Sequence, residues 1–270
     1  MSDETRREQI MNFIARYLLI FKYNFNQRGG WSSKRNISVI LLLLWAFYTW
    51  MRERGFLPKK SVRGKHVFIT GAGTGLGSLL ALRFVELGAK VTVSGLLLKD
   101  VNDTKRMIKE KTGADLTVMA VELDVCDRKM ITNVIKKATD QFGDVDILIN
   151  NAGVVQGKAF MDLNENFVSK TLQINAESHF WLIRDVLGPM MQRNSGQIVS
   201  IASIAGLAGT AGMTDYCASK FAAYGLNEAL RVEMKLLKKN IGFTTICPFY
   251  FNSGLFEGAK CSIFFPLLDA

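Results

Sequence analysis

Thr70-Gly71-Ala72-Gly73-Thr74-Gly75-Leu76-Gly77 decides how the rest of this chain is read. Directly before it stands His66-Val67-Phe68-Ile69, a run that predicts a short buried strand over 66–70. Directly after it, the pattern predicts a helix reaching residue 87. Glycines between a strand and a helix let the backbone turn tightly and approach a pyrophosphate closely. The helix N-terminus then offers free N–H groups with positive dipole character. The context gives the glycine string its weight, since a similar string elsewhere says little.

Outward from this turn, short β-rich runs alternate with longer helical stretches. Strands are predicted over 90–94, 116–123, 145–149, 197–201 and 242–247. Helices are predicted over 130–142, 166–194 and 215–238, among others. That alternation implies βαβ units and an α/β fold built on a parallel sheet. The 270 residues suit one such domain over 61–270, preceded by a basic segment over 1–60.

The net charge of +10 is concentrated in that segment, where residues 1–65 hold 13 Lys/Arg against 4 Asp/Glu. The globular part is nearly neutral, so nucleic acid is not expected as a partner. Residues 37–51, ISVILLLLWAFYTWM, form an uncharged run with Lys34 and Arg35 before it and Arg52, Arg54, Lys59 and Lys60 after it. Fifteen residues fall short of the roughly 17–25 that a spanning helix uses. Trp45, Tyr48 and Trp50 suit a membrane interface, and the basic flanks suit anionic headgroups. A membrane anchor over about 37–51 is the expectation. Cys126, Cys217, Cys247 and Cys261 have no metal-ligand spacing, and His66 and His179 lack ligand partners. No metal is expected, and both histidines read as structural.

Tyr216-Cys217-Ala218-Ser219-Lys220 falls on a predicted helix, which puts Tyr216 and Lys220 on one face. An ammonium near a phenol favours the phenolate and lowers its pKa, so Tyr216 becomes a candidate general acid/base. Together with the glycine turn and Asn150-Asn151-Ala152-Gly153, this set resembles the short-chain dehydrogenase/reductase family. The residues 215–223 and 244–258 are similar to its membrane-anchored epidermal retinol dehydrogenase and hydroxysteroid dehydrogenase branch.

The resemblance implies a Rossmann-type doubly wound parallel sheet, and hydride transfer between a nicotinamide cofactor and a lipophilic alcohol or carbonyl such as retinol/retinal or a hydroxysteroid. It implies catalytic roles for Tyr216, Lys220, Ser203 and Asn175. Lys220 would also hold the nicotinamide ribose, Ser203 the substrate oxygen, and Asn175 a proton relay. Ser200, a strand residue, is expected to be structural. Cofactor contacts fall on Gly71, Thr74, Gly75, Leu76, Gly77, Asp124, Asn151, Ala152, Gly153, Tyr216, Lys220, Pro248 and Ser253. The substrate side would be lined by Ser203, Val154, Val155, Phe160, Met213, Phe249, Leu255 and Phe256, an apolar set suited to a lipophilic ligand. A homodimer through the helices carrying Asn175 and Tyr216, and a cytosol-facing position on endoplasmic reticulum or lipid droplet, follow from the same resemblance.

Two departures stand out. Gly95 occupies the place where NAD-preferring relatives carry a ribose-binding Asp, and no Arg typical of NADP enzymes lies near. The branch favours NAD, with NADP the alternative. Relatives also continue beyond the substrate loop with another helix and a seventh strand, whereas this sequence ends at Ala270. The competing expectation is therefore a truncated, catalytically impaired, membrane-tethered binding or scaffold protein.

Overall fold

The structure, a computed structural model, describes residues 34–53 and 60–249. It divides into two compact units, Met1–Ser61 and Val62–Ala270. In the first, helix α1 (Lys34–Glu53) contains the uncharged run. Leu41, Leu42, Leu43, Leu44, Trp45, Phe47, Tyr48 and Trp50 along it are exposed. Among the described residues no helix is long and apolar enough to cross a membrane.

The second unit runs β1 (His66–Ile69), α2 (Gly75–Glu86), β2 (Lys90–Gly95), α3 (Leu98–Thr112), β3 (Val118–Glu122), α4 (Arg128–Phe142), β4 (Ile147–Asn150), α5 (Glu165–Leu172), α6 (Ser178–Gln192), β5 (Gly196–Ile201), α7 (Thr214–Leu236) and β6 (Ile241–Ile246). All six strands are parallel, in the order β3-β2-β1-β4-β5-β6. This is a Rossmann-like α/β sheet, and its order reverses between β1 and β4.

Strand residues alternate between faces, and each face has its own core. Phe68, Leu148 and Ile198 meet Leu182, Val186 and Met190 of α6 and Ile131 and Ile135 of α4. Val67, Ile69, Val91, Val93, Ile147 and Ile149 meet Ala81 and Val85 of α2 and Val101 and Ile108 of α3. Central strands covered on both faces must be apolar throughout, which is why β1 and β4 carry continuous hydrophobic runs. Parallel crossovers return every strand in one direction, so the β1–β4 reversal opens a crevice beyond the strand C-termini.

The sequence-based boundaries shift in a few places. The third strand is shorter than 116–123 because Leu116 lies in the preceding turn, 91% exposed. The fourth starts at Ile147 and runs on to Asn150. The helix over 130–142 begins earlier, at Arg128, because the Asp127 side chain accepts from the N–H groups of Lys129 and Met130 and caps it. The largest correction concerns the continuous helix over 166–194. It consists of α5, a π-helical turn over Gln173–Glu177, and α6. A wide turn keeps the helical axis going, so the apolar periodicity alone gives no sign of it.

Candidate active site

The glycine turn is stapled to the end of β4. Thr70 Oγ1 accepts from the N–H groups of Asn151 (3.0 Å) and Ala152 (3.1 Å). The Asn151 side-chain amide donates back to the carbonyls of Thr70 (2.9 Å) and Gly71 (3.0 Å). Gly71 adopts φ +61°, and a Cβ there would lie 2.8 Å from Ala152 Cα. At Gly77 a Cβ would meet the Gly71 carbonyl and lie 2.7 Å from Asn151 Nδ2. Neither position admits a side chain, so the backbone itself forms the surface. Helix α2 opens at Gly75. Its N-cap, Thr74, is exposed and makes no side-chain cap bond, which leaves the first-turn N–H groups without helical acceptors. Leu76 packs into the core beside Ala81 and fixes the helix on the sheet. A cradle of bare backbone closed by a helix N-terminus fits a dinucleotide pyrophosphate.

Asp124, half-buried beyond β3, accepts from the Cys126 N–H (2.8 Å) in a side-chain turn of its own. Gly95 ends β2, and a Cβ there would lie 3.0 Å from Val101 Cγ1. Pro248 follows β6, and its carbonyl accepts from Ile204 N–H (3.0 Å).

Ser203, Tyr216, Lys220 and Asn175 converge at the C-terminal ends of β4 and β5, each 8% exposed or less. Ser203 caps a short 3-10 turn, Ile204–Gly206, its Oγ accepting from Ala205 N–H (3.2 Å), and it hydrogen-bonds the Tyr216 side chain. Lys220 Nζ donates to Ile201 O (2.9 Å) and stands 5.5 Å from the Tyr216 ring centroid. Asn175 sits on the π-helical turn. Its Oδ1 accepts from Val154 N–H (2.8 Å), and its Nδ2 donates to Val154 O (2.9 Å) and Ser219 Oγ (3.0 Å). Ser219 Oγ in turn donates to Tyr216 O (2.7 Å). Gly153 lies between them, and a Cβ on it would be 3.4 Å from both Asn175 Oδ1 and Lys220 Nζ. Ser200 is turned away from this cluster and donates to Asn227 Oδ1 (3.3 Å).

The electrostatics differ from the sequence-based expectation. Burial pushes the Tyr216 phenol above its usual value, and the Ser203 hydrogen bond pulls the other way without overcoming it. Burial lowers Lys220 to about 8. With Nζ engaged by the Ile201 carbonyl, the lysine does not offset the loss of solvation around the phenol.

The apolar lining is reproduced in part. Val155 and Met213 pack with Ala205, Tyr216 and Cys217 beside the acid/base cluster. Val154 instead packs against the main core, its backbone held by Asn175. Phe160 is 69% exposed on a 3-10 turn, and Phe249 is exposed after β6. Ser253, Leu255 and Phe256 lie outside the described residues. Reading the sequence missed two buried polar residues near the cluster, His179 and Asn150, whose side chains have no partner among the described residues. No spacing rule marks them, because their isolation results from packing.

A family model described as short chain dehydrogenase matches residues 65–260. The short-chain dehydrogenase/reductase family 16C member 6 of Bos taurus is 44% identical over 216 residues, covering 78% of this chain and 66% of its own. Epidermal retinol dehydrogenase 2 of Mus musculus is 43% identical over 216 residues, with 78% and 69% covered. Retinol dehydrogenase 10-B of Danio rerio is 36% identical over 241 residues, with 82% and 72% covered. The chain thus spans about two thirds of the length of the first two. Among solved structures, a short chain dehydrogenase/reductase from Burkholderia phymatum in complex with NAD superimposes with a TM-score of 0.70 at 28% identity, covering 74% of this chain and 70% of its own.

Proposed function

The chain belongs to the short-chain dehydrogenase family and is an NAD(P)-dependent oxidoreductase; from that premise we propose that it interconverts a lipophilic alcohol and its carbonyl, retinol/retinal or a hydroxysteroid pair, with NAD as the preferred cofactor. The observation that carries this reading is the buried cluster of Ser203, Tyr216, Lys220 and Asn175 beside the glycine cradle. Relatives named as retinol dehydrogenases and the apolar pair Val155 and Met213 support the substrate class.

The cradle from Gly71 to Gly77 would hold the pyrophosphate. Asn151, Ala152 and Gly153 would wall the cleft, Asp124 would serve the adenine end, and Tyr216, Lys220 and Pro248 the nicotinamide end. When bound, the nicotinamide supplies the two-electron acceptor for the alcohol carbon. Ser203 Oγ orients the substrate oxygen, and Tyr216 takes the hydroxyl proton in oxidation or returns it in reduction. Lys220 brings positive charge towards the phenol and would hold the ribose hydroxyls. Asn175 anchors the Val154 backbone and, through Ser219, the helix turn carrying Tyr216.

Because burial raises the Tyr216 pKa, its base form accumulates only under alkaline conditions. Alcohol oxidation is expected to rise with pH and carbonyl reduction to fall over the same range, which steady-state rates in both directions would measure. Tyr216→Phe is expected to lower turnover by about 10²–10⁴-fold, with a far smaller effect on cofactor binding. Unchanged retinol and hydroxysteroid oxidation in that variant would overturn the mechanism. Titration with NADH and NADPH, followed by nicotinamide fluorescence, tests the cofactor. Binding of neither by folded protein would favour the non-catalytic tethered reading, which the missing acid at Gly95 motivates.

The segment 1–60 serves as the membrane contact of the 61–270 dehydrogenase domain, at a cytosol-facing surface of endoplasmic reticulum or lipid droplet. The exposed aromatic and leucine side chains of α1, beside basic flanks, support an interfacial seat. Two copies pair through the helices carrying Asn175 and Tyr216, a reading supported by the exposed Phe180, Phe221, Val232 and Leu236 on α6 and α7 and tested by light scattering.

A further inference from the structure

Behind the acid/base cluster, two buried side chains have no hydrogen-bond partner among the described residues. They are Asn150, through both Oδ1 and Nδ2, and His179, through both Nδ1 and Nε2. Asn150 is fully buried and His179 is 1% exposed. Strand register and helix periodicity bring them to the same level of the same layer. Asn150 pairs with Ser200 across β4 and β5, and Ser200 with Thr245 across β5 and β6. Asn150 and Ser200 point to the face carrying Leu148 and Ile198, two residues earlier. Those residues pack against Leu182, Ile183, Val186 and Met190 of α6. His179 precedes Leu182 and Ile183 by three and four residues, so it continues that stripe. A crossover helix runs antiparallel to its strands, which places His179 one turn nearer the cleft, level with Asn150.

The polar row is satisfied on one side only. Towards α7, Ser200 donates to Asn227, and Asn227 Nδ2 donates to Thr245 Oγ1 (2.6 Å). Towards α6, Asn150 and His179 are left with their full hydrogen-bonding capacity. One turn before His179 is Asn175, all of whose amide atoms are engaged. Lys220 carries three donor protons, and among the described residues it has one acceptor, Ile201 O. An amide or imidazole buried without partners destabilises the fold, and an apolar side chain would carry no such penalty. A small ligand that both donates and accepts removes it, and water is the one that protein interiors commonly hold.

We propose that Asn150 and His179 line an internal water site on the inner side of Lys220, and that this water gives the Lys220 ammonium a second acceptor which positions it for Tyr216. His179 is a positioning residue here, and the inference rests on the dehydrogenase reading for its consequence. Burial and the nearby Lys220 charge lower His179 to about 3, so the imidazole stays neutral and keeps one donor and one acceptor. The other titratable groups around Lys220 are Tyr216 on the same helix and Cys247 after β6. Strands β4 and β5 add only the uncharged Asn150 and Ser200 to this row.

The chain has two histidines, which makes the test direct. His66 has both ring nitrogens bonded within the protein, to Gly143 O (2.7 Å) and Thr92 Oγ1 (2.9 Å), and serves as the internal control. In the full chain labelled with ¹⁵N-histidine, the His179 ring N–H is expected to show magnetisation transfer from water despite its burial. A His179 ring without water contact overturns the proposal, whether or not any alcohol is turned over. That separates its failure from failure of the dehydrogenase reading. In kinetics, His179→Leu is expected to move the rise of oxidation with pH up by about one pH unit, because a less well placed ammonium favours the Tyr216 phenolate less, with His179→Gln restoring it. Superimposable profiles for wild type and His179→Leu overturn the positioning role. If the leucine variant does not fold, the water-contact measurement on the unsubstituted chain decides alone.

Discussion

Tyr216 and Lys220 are readable from sequence because an i, i+4 pair needs only one helix to meet, and Ser203 and Asn175 were placed by the ordered motif set. What that reading missed is the balance of solvation. A lysine near a phenol reads as an activator, yet with both groups buried the phenol rises and the lysine falls to about 8. His179 was illegible for a related reason, since nothing in its neighbours predicts an imidazole with no partner. Its folded pKa lies below the ordinary 6.5, so the folded state binds fewer protons than the unfolded chain between about pH 6.5 and 3. The sign follows by linkage. Stability attached to this group is intact above pH 6.5 and is lost as pH falls through that window, by up to about 5 kcal/mol. His179→Leu is expected to gain on wild type progressively across that range in urea unfolding at stepped pH. At the cradle, Gly77→Ala puts a methyl 2.8 Å from Ala72 Cα and against the Gly71 carbonyl. Backbone must move, and we expect loss of NADH binding together with destabilisation of about 1–3 kcal/mol, read by fluorescence titration and thermal melting.

Elements were legible where the hydrophobic period was clear, as in β1 and α7. The π-helical turn was not, because one extra residue in a turn leaves the apolar stripe on either side looking continuous. Its effect is local and chemical, since it carries Asn175 to the Val154 backbone. Helices α4 and α6 are also joined by a side-chain fork. Arg128 Nη1 donates to Asp185 Oδ2 (2.6 Å), Arg128 Nη2 to Asp185 Oδ1, and Thr132 Oγ1 to Asp185 Oδ2 (3.0 Å), with the guanidinium 5.7 Å from the Trp181 ring centroid. Arg128 is 40% exposed along its side chain, so solvent weakens the pair. Asp185→Ala is expected to lower stability by only about 1 kcal/mol, visible as a shift in urea midpoint at unchanged slope.

For the molecule as a whole, the alternation of strands and helices implied a parallel sheet, and its doubly wound arrangement was implied by the family resemblance carried by the glycine turn and the other motifs. Cofactor preference was not, because Gly95 removes the one side chain that would have declared it. Gly95→Asp is expected to weaken NADPH binding at least about tenfold relative to NADH, through repulsion of the 2′-phosphate. At the same scale, flotation with anionic vesicles is expected for the full chain and lost on Trp45→Asp with Leu43→Asp, at unchanged cofactor affinity.

The position of β1 in the sheet has a consequence for biogenesis. Its two edges are claimed by partners far apart in the chain, with Val67 beside Val91 on one side and beside Ile147 on the other. At roughly 5–20 residues per second of synthesis, about 4–16 s separate the emergence of Val67 from that of Ile147. For that interval a strand buried along its whole length in the finished sheet stands half-zipped on the ribosome. The nascent chain is then expected to bind holdase chaperones, and its yield in cells to vary with the speed of translation through residues 70–147.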